Sequence, residues 1–127
     1  MRPALLIAYR RTRYEAAGIE LRIGRRCPAM DRLLVSLGAR EAALVTAYNP
    51  FSRVMPSGWN RRMQARLAQA LRRRRVLPAS GGWRQWSEAH LFVAGDAQPI
   101  WRLARLFRQN AIVVLRRGQA PRVRVVG

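Results

Sequence analysis

Carboxylates are scarce for a chain of this size and charge. Its 127 residues include 25 basic side chains and 6 acidic ones, a formal net charge of +19. Lysine is missing altogether, so every basic residue is arginine. There is one cysteine, Cys27, and one histidine, His90. A lone cysteine closes no internal disulfide and builds no paired-cysteine zinc site, and one histidine excludes a His-rich metal centre. The longest apolar run, Pro3 to Tyr9, falls far short of the roughly 20 residues that a membrane span needs. As a signal peptide the run is too brief, and arginines follow it at once. No metal, cofactor or membrane partner is therefore expected, and one unpaired cysteine fits a reducing cytoplasm.

What is present can fold. Half the residues are hydrophobic, more than a disordered basic tail carries. At about 100–200 residues per domain, the length accommodates a single domain over 1–127. A chain this size buries about two-thirds of its unfolded surface, enough for a core without staples. Arginine in place of lysine is what GC-rich coding drift produces. The shortage of carboxylates is not, and a +19 surface attracts polyanions.

Hydrophobic periodicity predicts the elements. Ala4 to Ala16 reads as a strand with a basic end, and Gly18 turns it into the alternating strand Ile19 to Ile23, making a hairpin. Pro28 opens a short helix with Met30, Leu33, Leu34 and Leu37 on one face and Gly38 as its stop. Ala42 to Tyr48 is apolar throughout and predicts a central strand. Ser57 is the expected N-cap of the longest helix, about Gly58 to Arg75, whose Trp59, Met63, Leu67 and Leu71 would face the core. Val76-Leu77-Pro78 suggests an edge strand, Gly81-Gly82 a turn, and Ala89 to Ala94 the next strand. Asp96 caps a helix with Ile100, Leu103, Ala104 and Phe107 on its buried stripe. Ala111 to Leu115 is a last central strand, and Arg122 to Val125 a terminal ribbon.

From Ala42 onward this order is β-α-β-β-α-β, the split βαβ pattern of ferredoxin-like domains. The expected fold is α+β: that core, preceded by a β-hairpin and a short helix, with a mixed sheet and helices mainly on one face. In such a topology the first and fourth core strands are antiparallel neighbours. Tyr48-Asn49-Pro50 would then lie beside Gln109-Asn110-Ala111, gathering amide side chains at one sheet end.

Those two segments also carry a resemblance. Ala47-Tyr48-Asn49-Pro50-Phe51-Ser52 and Phe107-Arg108-Gln109-Asn110-Ala111-Ile112 resemble the "AWNP(F/Y)S" and "FGQNAI" stretches of the bacterial domain-of-unknown-function 3293 family. Ala8-Tyr9-Arg10 and Arg22-Ile23-Gly24 are similar to that family as well, so the likeness runs along nearly the whole chain. Tyr48 stands where the family pattern has Trp, and Arg108 where it has Gly, which adds a charge beside the amide cluster. The resemblance implies no activity, because the family has none assigned.

Catalytic signatures are thin. Cys27 and His90 form a nucleophile–base pair only if the fold joins them, and Asp31, Glu41, Glu88 and Asp96 are scattered along the chain. Gly81-Gly82 lacks phosphate-loop spacing. The arginines carry more. Arg62, Arg66 and Arg73 share a helix face with Gln69, Arg72-Arg73-Arg74-Arg75 closes that helix, and Arg102 and Arg105 repeat the pattern on the next. Trp83 and Trp86, in a loop around Arg84-Gln85, offer faces on which unpaired bases stack. The leading expectation is a non-enzymatic nucleic-acid-binding protein contacting phosphates through arginine, RNA favoured over DNA because no helix-turn-helix or zinc finger is present. The alternative is an enzyme or sensor holding a nucleotide or small phosphorylated anion among Tyr48, Asn49, Arg108, Gln109 and Asn110. An acidic protein partner would use the same basic surface.

Overall fold

The computed structural model describes residues 3–126. In chain order the elements are α1 (Pro3–Arg11), β1 (Arg13–Ala16), β2 (Ile19–Leu21), α2 (Pro28–Ser36), β3 (Glu41–Val45), a 3₁₀ turn (Pro50–Ser52), α3 (Ser57–Ala70), β4 (Val76–Trp83), β5 (Trp86–Ala94), α4 (Ala97–Leu106), β6 (Ala111–Arg116) and β7 (Arg122–Val125). The seven strands form one sheet in the order β2-β1-β4-β5-β3-β6-β7. Every neighbouring pair runs antiparallel, so the sheet is not the mixed one expected.

Both faces of the sheet are covered. On one, Val45, Val93 and Ile112 meet Leu67 and Leu71 of the α3 segment and Ile100 and Ala104 of α4. On the other, Tyr14, Leu44, Phe92 and Leu115 meet Met30 and Leu34 of α2, with Tyr9 of α1 packed against them. Helices are thus divided two and two rather than gathered mainly on one side. This double cover explains why Ala42 to Val45 of β3 and Ala111 to Leu115 of β6 are apolar throughout, for neither face of either stretch meets water. No helix among the described residues is long and apolar enough to cross a membrane.

Several local expectations hold for physical reasons that can be named. Pro28 opens α2, and Gly38 ends it at φ +65° while the Ala39 amide reaches back to the Leu34 carbonyl at 2.9 Å, a left-handed cap that suits glycine. Asp96 caps α4 by accepting from the Gln98 amide at 3.0 Å, and Glu41 accepts from the Ala97 amide at 2.9 Å. Both carboxylates sit where the helix dipole favours negative charge.

Others are corrected. Ala4 to Ala16 is not one strand: α1 occupies Pro3–Arg11, and only Arg13–Ala16 is extended. Pro3 suits a helix start, and Leu5, Ala8, Tyr9 and Thr12 recur at helical spacing. The Thr12 hydroxyl closes the helix by donating to the Ala8 carbonyl at 2.7 Å. The N-cap of α3 is Pro56, without a side-chain bond, and Ser57 is already helical. That helix ends at Ala70 rather than near Arg75, because the chain must turn before Val76 pairs with Val93. Trp59 is half-buried and lies outside the apolar cluster, whereas Met63 packs against it. Strand β4 is internal, between β1 and β5, and not an edge. Its Pro78 lacks an amide proton, a defect tolerated because pairing with β1 begins one residue later, at Ala79. Gly81-Gly82 lies inside β4, and the turn falls at Arg84-Gln85.

Candidate functional site

Helix α1 leans over one end of the sheet and encloses a cavity of about 330 Å³. Leu5, Ala8, Tyr9 and Thr12 form its roof, the one helical face that α1 turns inward. Leu44, Val113, Glu88 and His90 contribute the floor and Trp83 and Trp86 the mouth, while Tyr48, Asn49 and Asn110 close the far side. Three of these come from alternate positions of β5: Trp86, Glu88 and His90 point the same way because strand side chains repeat every two residues.

Gly81 is what lets the floor close. A Cβ placed there would lie 2.9 Å from His90 Cε1 and 3.1 Å from the Tyr14 ring. Without one, Tyr14 and His90 meet edge to face, 5.7 Å between centroids at 80°. Burial dominates the protonation of the floor. It pushes His90 down to about 4, opposed by the hydrogen bond to the Glu88 carbonyl, so the imidazole is neutral at pH 7. Burial raises Glu88, against the stabilising Asn49 hydrogen bond. It raises Tyr9 to about 12, helped by the nearby Glu88 charge, and lifts Tyr14 further.

The amides expected as ligand contacts mostly hold the loop together. Asn49 sits at φ +45°, Phe51 at +50° and Ser52 at +62°, left-handed conformations that persist only where surrounding contacts fix them. Asn49 Oδ1 accepts from the Met55 amide and the Asn60 side chain, both at 2.9 Å, and its Nδ2 donates to Glu88 Oε1 at 2.7 Å. Gln109, 7% exposed, donates to the Tyr48 carbonyl at 3.1 Å. Asn110 donates to Ser52 Oγ at 2.9 Å, and the Phe51 amide to the Arg108 carbonyl at 2.7 Å. Strands β3 and β6 are antiparallel neighbours, so the two segments do converge as their order in the chain predicts. Tyr48, Asn49, Gln109 and Asn110 all line the cavity, but Arg108 does not. Its exposed side chain leaves from a backbone at φ +57°, the helix-ending position that glycine fills most easily.

The arginines lie elsewhere. Arg62, Arg66, Arg102 and Arg105 are exposed on α3 and α4, whose opposite stripes pack on the same sheet face. Arg72–Arg75 follow α3 as a turn. Three of them are used locally: Arg72 donates to the Gln69 carbonyl at 3.0 Å, Arg74 to Asp96 at 3.4 Å, and Arg75 to Leu37 at 3.0 Å. Arg73 is exposed. Trp83 and Trp86 are not part of this strip; they pair across the β4–β5 hairpin at the cavity mouth, under α1.

Cys27 and His90 are not joined. Cys27 faces a tight crevice beside Met30 and Leu115, with its thiol toward the Glu20 carbonyl at 3.8 Å. No group of three or more His, Cys, Asp or Glu side chains converges on a point among the described residues. Sequence pattern did not assign Tyr9, Thr12, Tyr14, Glu88 or His90 to this site, although it offers His90 as a partner for Cys27 and counts Glu88 among the scattered carboxylates. The spacing of Leu5, Ala8, Tyr9 and Thr12 was a signal for the roof, and the two-residue step from Glu88 to His90 a signal for the floor. Comparison with curated proteins and with solved structures yields no match. The family described as "Protein of unknown function (DUF3293)" matches residues 45–112, just over half of the chain and the part that holds both converging segments. The chain belongs to the domain-of-unknown-function 3293 family.

Proposed function

We propose that this protein binds nucleic acid, without acting on it chemically, through the arginines of α3 and α4 and of the turn that follows α3. One observation carries the reading: Arg62, Arg66, Arg102 and Arg105 are exposed on the outer side of α3 and α4 and are not neutralised by neighbours, with Arg73 exposed in the turn beyond. The two ion pairs among the described residues are Arg13–Glu20 at 3.8 Å and Arg26–Asp31 at 3.6 Å, and neither involves α3 or α4. Guanidinium groups grip phosphate oxygens in forked pairs, so an arginine strip suits a polyanion. Trp83 and Trp86 lie at the cavity mouth on the opposite sheet face and take no part in this surface. RNA is favoured over DNA on the ground that the chain carries no helix-turn-helix or zinc-finger pattern. A cytoplasmic setting agrees with the single unpaired cysteine. The strand order β4-β5-β3-β6, with α3 and α4 on one face, supports reading the core as a ferredoxin-like split βαβ unit.

Filter binding of a single-stranded RNA across a salt series tests this. With about 6–10 phosphates contacted, affinity falls roughly 10³–10⁵-fold between 50 and 200 mM salt. A flat response rules the reading out, and capture of an acidic protein in its place would assign the strip to a protein partner. The second reading, a nucleotide or small phosphorylated anion at the Asn49/Gln109/Asn110 end, has the volume of the cavity in its favour, though a phosphate there would meet Glu88 and, among the described residues, no lining arginine. Nucleotide-dependent thermal shifts abolished by Asn110→Ala and indifferent to Arg73→Ala would favour it.

A further inference from the structure

The cavity under α1 differs from everything around it in charge. Arginine makes up 25 of 127 residues, yet among the described residues none lines the cavity, and Glu88 is the one carboxyl group there. A phosphate or carboxylate seated inside would meet that carboxylate and no cation. Only one of its oxygens is engaged among the described residues: Oε1 accepts from Asn49, leaving Oε2 for a donor. A carboxylate withdrawn from water gains most from a charged donor, since Coulomb attraction grows as the local dielectric falls.

The walls add a second preference. Tyr9, Tyr48, Trp83 and Trp86 surround the space with aromatic rings, whose faces attract cations. The protein's own side chains already demonstrate this attraction at the mouth: the Arg84 guanidinium sits 4.6 Å and that of Arg11 5.6 Å from the Trp83 ring centroid. At about 330 Å³ the cavity falls in the small-molecule range of about 300–1,000 Å³. Arg11 and Arg84 stand at the mouth against Trp83, while within the space a bound group meets Glu88 and the rings of Tyr9, Tyr48 and Trp86.

We propose that this cavity is a binding site for a small organic cation, an amine or guanidine on an apolar or aromatic body, with the cationic group against Glu88 and the body between α1 and the Trp83–Trp86 pair. The assignment is independent of the nucleic-acid reading, because its residues lie on the opposite sheet face from the arginine strip.

Calorimetric titration of the full chain with phenethylamine, 2-phenylethanol and 3-phenylpropionate tests it, since the three share a body and differ in charge. Phenethylamine should bind, 2-phenylethanol about tenfold more weakly for want of a charged donor, and 3-phenylpropionate not measurably. Glu88→Gln keeps an oxygen for Asn49 and removes the charge, so it should erase the preference for the amine over the alcohol. Arg62→Ala with Arg66→Ala should leave phenethylamine affinity unchanged. The proposal is overturned if the alcohol or the acid binds wild-type protein as tightly as the amine, or if the amine fails to bind at millimolar concentration. It is equally overturned if the Arg62/Arg66 variant no longer binds the amine. The three-ligand comparison needs no variant, so its outcome does not depend on how Glu88→Gln folds.

Discussion

The two sides of the sheet have similar apolar interiors and contrasting exteriors. On the α3/α4 side, neither helix contains a carboxylate, and no acidic residue occurs between Glu41 and Glu88 or after Asp96. On the α1/α2 side, Asp31 pairs with Arg26 and Glu88 enters the cavity, while Glu15 and Glu20 leave the other face of the β1–β2 hairpin, where Glu20 pairs with Arg13. Glu41 and Asp96 are spent on the start of α4. The +19 total is therefore unevenly spread: the arginines of α3 and α4 form no ion pair on their outer surface, while the cavity under α1 holds a carboxyl group and, among the described residues, no arginine. Net charge describes what approaches such a protein. It does not describe what its cavity accepts.

The largest effect expected from perturbing this contrast is on the arginine side. Replacing Arg62, Arg66, Arg102 and Arg105 together with alanine should make the log–log salt dependence of single-stranded RNA binding shallower by about 3, roughly 0.7 for each phosphate no longer neutralised. Trp86→Ala should leave that slope as it was, and equal slopes for all three proteins would dissolve the distinction between the two sides. For stability, Leu67→Ala opens a void beneath α3 and should cost about 2–5 kcal/mol, read from urea unfolding, with no change in phenethylamine binding.

Acid acts on the other side. His90 titrates near 6.5 when unfolded and at about 4 in the fold. The unfolded chain holds more protons in that interval, so stability should fall as pH drops from about 6.5 to 4. Glu88 works in the opposite sense, because its raised pKa lets the folded form keep a proton to higher pH. His90→Gln should therefore weaken or reverse the acid sensitivity in urea unfolding at pH 7, 5 and 4, and an unchanged profile would remove His90 as its source. Gly81→Ala drives a methyl against His90 and Tyr14 and should cost about 1–3 kcal/mol. The smallest change is a gain: Arg108→Gly relieves the left-handed backbone at φ +57° and should stabilise the chain by about 1 kcal/mol. A loss there would show that the Arg108 side chain supports the loop.

Much of the fold could be read in advance wherever the signal was local. Pro28 and Gly38 bracket α2, Asp96 opens α4, and the unbroken apolar character of Ala42 to Val45 and of Ala111 to Leu115 marks strands covered on both sides. Reading failed where two local signals competed. Pro3 to Tyr9 is apolar enough for a strand and spaced correctly for a helix, and the helix prevails because its inward face roofs the cavity. Gly81-Gly82 has the composition of a turn, but these glycines are selected by close approach of Tyr14, His90 and the Trp86 carbonyl within the sheet. Asn49 and Gln109 converge as predicted, yet most of their hydrogen-bonding capacity goes to backbone groups and to Asn60, because a loop with three left-handed residues needs that support.

Composition and periodicity alone determined the carboxylate deficit, the outward arginines of α3 and α4, the apolar stripes beneath them and the meeting of the Tyr48 and Gln109 segments. These depend on near neighbours along the chain and on strand order. The cavity, its lone carboxylate, the neutral His90 and the separation of Trp83 and Trp86 from the arginine strip were decided by tertiary structure. They arise where α1, β1, β5 and the two converging loops come together, and the burial that sets their chemistry exists only once those distant segments have packed.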